Sequence, residues 1–498
     1  MFSAALPVPR SLPVSSPASQ GVDASAISAF LDCVESAPDM ELHGLMILRR
    51  GHLVAAGWWW PYSRDRLHLL YSLSKSFTST AAGLAAADSL LSMDAPVIGY
   101  FPELAADIRD DRVLAMKVRH IAAMASGHLS DTWDQVTAAD DLTEPVRNFL
   151  AIPPDRDPGS VFAYNQSATY TLGAIVQRIT GQGLVSYLRR RVLDPIGAGP
   201  VSWTRDKTGR ELGFSGLHAT TDTVARLGQL YLQRGHWNGM QILPAAWVAE
   251  ATSPQVSTRS AGPPDVPDWL QGYGFQFWRS RHGYRADGAY GQFGLVLPEH
   301  DAVVAITGQT TAPQALLDLV WSTLLPAFRL SAWHPTADDV ALRRRLAGAK
   351  LPVPADSPLS RDAAVWRTGA TFRPAGGTCA QQPSLRSVTV SFAHALPGEC
   401  HVRLEDGEET LDLTVGGEDW AVSEGTPCSP PTACAGRWSD PDTVRVEVIF
   451  LETPHRLTVT CELPTRTFEA GWTTAPLHQG PLATLRAPGS AHTAPGAG

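Results

Sequence analysis

The spacing of apolar residues divides the chain into a stretch of alternating helix-like and strand-like patterns and a later stretch of strand-like patterns alone. "DASAISAFLDCVES" repeats its apolar positions every three to four residues behind an Asp or Ser, which predicts a capped helix. "HGLMILRRGHLVAAGWWW" holds two apolar runs on either side of Arg50–Gly51, the pattern of a β-hairpin. "QSATYTLGAIVQRITG", "GLVSYLRRRVLDPIG" and "DTVARLGQLYLQRG" predict helices, the last ended by a glycine. "YGFQFWRS", "YRADGAY" and "QFGLVLPEHDAVVAITG" then predict consecutive antiparallel strands, and "APQALLDLVWSTLLPAF" a closing helix. Two early strands, a helical middle, later strands and a last helix predict an α+β domain over 22–330. Its antiparallel sheet would combine both ends of that segment.

After Phe328 the character changes. A helix in "TADDVALRRRLAG" and a Pro-rich link, "KLPVPADSPLS", fill 331–358. Beyond them "SVTVSFAH", "CHVRLEDG", "ETLDLTVGG" and "TVRVEVIFLETPHRLTVTCEL" alternate with a period of two between Asp-Gly, Gly-Gly and Pro turns. Residues 359–485 are therefore expected to form a separate all-β domain, a small barrel or sandwich. The Pro/Ser-rich residues 1–21 are expected to hang loosely or to lie on the surface of the first domain, and 486–498 to be a disordered tail.

Composition narrows the function classes. A net charge of −9 and a pI of about 5.9 speak against nucleic acid or an anionic membrane as partner. No stretch is long and apolar enough to span a bilayer, and prolines interrupt the N-terminus, so neither a membrane anchor nor a signal peptide is expected. Five of the six cysteines lie in the last quarter, where a small disulfide set is one option, but no spacing suggests zinc. A cytoplasmic, reduced protein without a metal or cofactor is the expectation.

The chain holds 36 arginines and only four lysines, at 75, 117, 207 and 350. Lys75 stands three residues after Ser72, where a helix of small residues begins ("YSLSKSFTSTAAGLAAA"). Residues three apart share a helix face, and the helix N-terminus favours negative charge at the serine. Burial beside the serine lowers the lysine's proton affinity, which makes it a base, and arginine cannot do this. The pair alone is a common chance pattern. Two further stretches add to it: "VFAYNQSATYTLG", which places Tyr164, Asn165 and Gln166 ahead of a helix, and "ADGAYGQFG", whose glycines at 288 and 291 permit close backbone approach within a strand.

In this order the three stretches resemble the serine β-lactamase and penicillin-binding-protein superfamily, particularly its class C-like esterase branch. The resemblance covers about residues 20–330 and includes "LSMDAPVIGYFPEL" and "VRHIAAMASG". It implies a β-lactamase-like antiparallel sheet flanked by helices, with a helical subdomain, and a lipocalin-like barrel as the C-terminal domain. It also implies Ser72 as nucleophile, Lys75 as its base or proton shuttle, and Tyr164 as general base with its phenolate favoured by Lys75. The N–H groups of Ser72 and Ala289 would form the oxyanion hole.

Asn165, Gln166, Ala286, Asp287 and Gly288 would line the substrate site. The sequence departs from the family at two of these positions. The amide at the family's Asn position is Gln166, and Ala286 replaces the Lys or His that commonly holds a substrate carboxylate. The resemblance therefore implies a serine hydrolase of small-molecule esters or amides, and not an efficient β-lactamase. On the same fold, an acyltransferase, peptide cyclase or D-aminopeptidase is the alternative within catalysis. A non-catalytic ligand-binding protein is the alternative outside it. His128 in "SGHLSDTW" is expected to have a surface or structural role, with lining of the cleft as the alternative, and Met124 stands where many relatives carry a histidine.

Overall fold

A two-residue turn at Arg50 and Gly51, both left-handed with φ of 51° and 74°, joins strands β1 (Met40–Arg49) and β2 (His52–Trp58). Two consecutive left-handed residues match the twist of the strands they connect, which is why the Arg-Gly pair reads as a hairpin. The computed structural model describes residues 11–138, 144–259, 262–263, 265–353, 369–392, 400–440 and 442–489. The chain forms two compact units, one of 1–57 with 70–347 and the other of 58–69 with 348–498.

In the first unit, helix α1 (Ala24–Ser36) is capped by Asp23, whose carboxylate accepts from the Ser25 N–H at 3.0 Å. Helices α2 (Ser74–Ala87), α3 (Gln166–Thr180) and α4 (Thr221–Leu232) follow the hairpin. Strands β3 (Trp278–Arg279), β4 (Tyr284–Gly288), β5 (Gln292–Leu297) and β6 (Ala302–Thr310) come next, then helices α5 (Pro313–Leu319) and α6 (Ala337–Ala347). The sheet order is β2-β1-β6-β5-β4-β3, so the two chain ends meet where β1 pairs antiparallel with β6. Every residue of β6 is buried, as a central strand covered on both faces requires. α4 packs on β6 and β5, and α1 packs on β1 and α6.

Helix α2 is buried from Ser74 to Ala85 although seven of those twelve residues carry a polar side chain or none. Four of its five hydroxyls are taken up by backbone and side-chain partners. Ser76 donates to the Gln276 carbonyl (2.8 Å), Thr78 to Gly213 (2.7 Å), Ser74 accepts from the Leu217 N–H (3.0 Å), and Thr80 pairs with the Tyr231 hydroxyl (3.0 Å). Small side chains let neighbouring backbone come this close, and the hydrogen bonds offset the cost of burying the hydroxyls.

In the second unit, strands β7 (Ala370–Pro374), β8 (Leu385–Phe392), β9 (Cys400–Asp406), β10 (Glu409–Val415), β11 (Ala421–Ser423), β12 (Thr432–Asp440), β13 (Thr443–Phe450), β14 (Arg456–Glu462) and β15 (Thr467–Trp472) form one sheet. Its order is β10-β9-β8-β7-β15-β14-β13-β12-β11. Gly416, just after β10, accepts from the Gly436 N–H (3.0 Å) and donates to the Cys434 carbonyl (3.1 Å), which nearly closes the sheet into a barrel. Alternate residues such as Val388, Val402, Leu404, Val446 and Val459 fill the interior. The β7–β15 pairing is parallel, so the barrel is not a pure up-and-down meander.

Several sequence expectations need adjustment. Residues 11–21 take the second of the two courses expected for them and lie against the first domain: Leu53 donates to the Pro13 carbonyl (2.8 Å), Ser15 donates to the Leu53 carbonyl (3.0 Å), and the buried Asp339 accepts from the Ala18 N–H (2.9 Å). α6, expected in a linker, groups with the first unit, whereas Trp58–Leu69 groups with the second. There the Tyr62 hydroxyl donates to the Thr453 carbonyl, Leu69 donates to the Glu452 carbonyl, and Arg66 clasps both oxygens of Glu424. Residues 1–10, most of the Pro-rich link and the last nine residues of the expected tail lie outside the described residues. All six cysteines are free thiols, so the disulfide option is not taken. Among the described residues, no helix is long and apolar enough to cross a membrane, and no group of His, Cys, Asp or Glu has metal-binding geometry.

Candidate active site

Ser72 lies on a single helical turn, Tyr71–Leu73, at the entrance to α2, and its side chain is only half-buried. Tyr71 before it is left-handed (φ 48°), a costly conformation for a bulky residue. Across from it Tyr290 is left-handed as well (φ 64°), and the two rings meet edge to face at 5.6 Å.

Lys75 is one turn further into α2 and 1% exposed. Its Nζ lies 3.0 Å from Ser72 Oγ, 2.7 Å from Gln166 Oε1 and 2.9 Å from the Phe214 carbonyl, so each ammonium hydrogen has an acceptor. Of the three acceptors, only the Ser72 hydroxyl can reverse direction and donate. Burial pulls the amine down to about 7, while the carboxylates of Asp131 and then Asp287 oppose the shift. The lysine is thus poised to exchange a proton with Ser72 near neutral pH.

Tyr164 hydrogen-bonds Ser72 through its hydroxyl and receives the Lys75 Nζ 4.6 Å from its ring centroid. The ring stacks on Trp278 at 5.7 Å and 16° and meets Tyr273 edge-on. Burial raises the phenol well above its usual value, outweighing its bond with Ser72. The expectation of a phenolate favoured by Lys75 is therefore corrected: the buried residue that gives up its proton more readily is the lysine, and Tyr164 rests as a neutral phenol.

The amides divide their roles. Gln166 reaches Lys75, whereas Asn165 is buried as the N-cap of α3, its Oδ1 accepting from the Ser167 N–H (3.0 Å) and the Thr132 hydroxyl (3.1 Å). The Asn165 N–H donates to the Met124 sulfur (3.3 Å). His128 is structural, with ring nitrogens 3.0 Å from Ser126 Oγ and 3.1 Å from the Ile152 carbonyl.

On β4, a Cβ added at Gly288 would stand 2.1 Å from the Leu70 carbonyl, so only glycine lets the strand meet the nucleophile's turn. That approach brings Ala289, the next residue, toward Ser72, two residues beyond Leu70. Gln292, fully buried, holds the 289–290 turn by donating to the carbonyls of Ala289, Tyr290 and Gly308. Ala286 shares the Gly288 face of β4 and is 4% exposed, a small apolar surface beside Gly294. Asp287 is paired with Arg285 at 2.7 Å.

Three contributors escaped the sequence reading. Phe214 acts through a backbone carbonyl, which no side-chain pattern reveals. Asp131, three residues past His128, accepts from the N–H groups of Gln166 (2.9 Å) and Trp133 (3.1 Å) and is raised mainly by burial. Trp278 was legible only as part of an apolar run.

A protein-family model described as Beta-lactamase matches residues 37–322. Esterase EstB of Burkholderia gladioli is 28% identical over 209 residues, which is 36% of this chain and 53% of EstB. The 6-aminohexanoate-dimer hydrolase of Paenarthrobacter ureafaciens is 26% identical over 215 residues, 41% of this chain and 55% of its own length. The chain spans about half the length of these curated relatives. A solved structure from Bacillus anthracis, provisionally named a 6-aminohexanoate-dimer hydrolase, superposes with a TM-score of 0.50 at 21% identity, over 64% of this chain and 86% of that one. At that identity the likeness concerns the fold, an antiparallel sheet with helices against it. With more than half of its length matched by the family model, this chain belongs to the β-lactamase family.

Proposed function

We propose that the protein is a serine hydrolase that cleaves esters or amides of small molecules through an acyl-enzyme on Ser72. The observation that carries this reading is the fully buried Lys75, 3.0 Å from Ser72 Oγ and pulled down to about 7. A lysine kept at that depth with no salt bridge among the described residues is costly unless its proton is used.

Neutral Lys75 takes the Ser72 proton as Oγ bonds to the substrate carbonyl carbon. The N–H groups of Ser72 and Ala289 receive the oxyanion. As the tetrahedral centre collapses, the bond to the leaving alcohol or amine breaks. Tyr164, between Lys75 and the substrate, hands that group a proton and regains one from the Lys75 ammonium. Water then attacks the acyl carbon, losing its proton along the same path in reverse, and Ser72 is freed. The presence of an esterase and an amide hydrolase among the relatives is consistent with either bond.

The wall strand offers a substrate carboxylate no cation at Ala286, and Asp287 is already paired with Arg285, so penicillin-like anions are poor substrates in this reading. Labelling with a fluorophosphonate, followed by turnover of a p-nitrophenyl ester, tests it. Wild type is labelled at Ser72 and hydrolyses the ester, and Ser72→Ala does neither. Undiminished ester turnover by Ser72→Ala would refute the mechanism.

A further inference from the structure

We propose that Phe162, Trp278 and Trp269 form a leaving-group subsite, and that the bonds cleaved are esters or amides of aryl-bearing alcohols or amines. The inference rests on the role given to Tyr164 above and names the substrate class of that same site. A residue that protonates the departing atom must come within hydrogen-bond reach of it, so the alcohol or amine half of the substrate passes the Tyr164 hydroxyl. The ring of Tyr164 is flanked by Lys75 and by Trp278. Among the described residues the Lys75 side is filled, since that side chain is 1% exposed and bonded to Ser72, Gln166 and the Phe214 carbonyl. The leaving group therefore extends along the Trp278 side.

That side is a shelf of rings. Trp278 stacks on Tyr164 at 5.7 Å and 16°. Phe162, two residues before Tyr164, meets Trp278 edge to face at 5.4 Å and 62° and packs on Tyr273 at 5.4 Å. Trp269 meets Trp278 from its own turn at 6.4 Å and 70°. Trp278 and Tyr273 are buried, whereas Phe162 and Trp269 are only half-buried and keep ring surface open. Rings crossed in this way offer faces and edges to one more ring, the arrangement aromatic groups prefer.

The shelf is also rigid and presents no free charge. Trp269 follows the fully buried Asp268, whose Oδ2 accepts from Arg281 Nε (3.0 Å), Gln314 Nε2 (2.8 Å) and Trp321 Nε1 (3.0 Å). The Arg285 guanidinium lies 4.4 Å from the Trp269 ring centroid and donates to the Asp268 carbonyl (2.8 Å), and Asp287 pairs with it at 2.7 Å. That cation is engaged inside the fold, so the substrate meets rings and not a charge. Rings fixed before binding lose little freedom when the substrate arrives, which leaves more of the contact for affinity. In acylation the bond from the carbonyl carbon to the leaving oxygen or nitrogen breaks, and its electron pair stays on that atom. The atom takes the Tyr164 proton, Ser72 Oγ keeps the acyl group, and the aryl-bearing alcohol or amine departs along the shelf.

The test compares kcat/KM for the butyrate esters of benzyl alcohol and ethanol, two alcohols of similar acidity, so that binding of the leaving group is separated from its reactivity. Wild type should favour the benzyl ester at least tenfold. Phe162→Ala and Trp269→Ala, at half-buried positions, should each lower that ratio at least threefold, and Phe162→Tyr, which keeps the ring, should retain it. In a series of benzyl esters from acetate to hexanoate, the dependence on acyl length should be the same in wild type and Phe162→Ala, a readout that a general loss of structure would move. Equal kcat/KM for the two butyrates in wild type, which needs no variant, would overturn the inference. So would a ratio unchanged in both alanine variants, or an effect of Phe162→Ala that follows the acyl chain in place of the alcohol. Absence of turnover of every ester together with failure of Ser72 to be labelled would instead overturn the reading of the site as a serine hydrolase.

Discussion

Replacing Lys75 with methionine removes the buried amine while keeping an unbranched stem of similar length. In the folded chain that amine titrates at about 7, against an ordinary 10.5. The interval corresponds to roughly 5 kcal/mol between the two protonation states. Between those values the unfolded chain holds a proton that the folded chain has released. Wild-type stability therefore rises with pH across this window, by about 1.4 kcal/mol per unit, and is flat below it, where both states are protonated.

Lys75→Met lacks this contribution, so its advantage or deficit relative to wild type shifts against it as pH rises from 7 to 9. The absolute offset also contains the hydrogen bonds lost at Ser72, Gln166 and Phe214, so the slope is the quantity that tests the reasoning. In scanning calorimetry of both proteins at pH 7, 8 and 9, the difference in Tm should change by roughly 2 °C per pH unit for a unit of this size. Parallel curves for the two proteins would mean that Lys75 keeps an ordinary proton affinity and that its role as base is wrong.

Tyr164→Phe keeps the stacking on Trp278 and the ring beneath Lys75, so it should lower kcat on an ester by about 10²-fold or more with little change in Tm. Gly288→Ala would set a methyl against the Leu70 carbonyl; initial rates should fall at least tenfold, with Ser72 labelling slowed in parallel. Asn165→Ala removes a helix cap and should cost about 1 kcal/mol in urea unfolding, whereas Asn165→Asp, which still accepts, should cost less. A larger effect of Asn165→Ala on KM than on stability would make that residue a substrate contact after all. Nitrocefin should be turned over at least tenfold more slowly than a p-nitrophenyl ester, which a direct comparison of kcat/KM decides.

What could be read from the sequence follows from what each residue does alone. The Arg50–Gly51 turn, the Asp23 cap and the hydroxyl-rich α2 were legible because local conformation and neighbour spacing determine them. Gly288 was legible as a point of close approach, though not that the approaching atom is the Leu70 carbonyl. "YGFQFWRS" reads as a strand, yet only Trp278 and Arg279 pair in one. Gln276 turns left-handed (φ 64°) so that its carbonyl can accept from Ser76 and its side-chain amide from Thr169, a tertiary demand that overrides an apolar run. β12 was missed because Thr432 to Trp438 are all buried, which erases the alternation that marks a strand. Asp131 gave no signal, and neither did the pairing of Asp287 with Arg285, since single charges acquire meaning only from what the fold sets beside them. The phenolate expected at Tyr164 failed for the same reason, because the degree of burial is invisible in one dimension.

The grouping of Trp58–Leu69 with the second unit bears on how this protein can be cut. The chain crosses between units at three peptide bonds, not one, so neither a protease nor a stop codon after residue 347 would release an intact first unit. A truncated product would retain twelve residues whose hydrogen-bonding partners, the carbonyls of Glu452 and Thr453 and the carboxylate of Glu424, had been removed. Those residues end at Leu69, three positions before the serine on which the proposed chemistry depends.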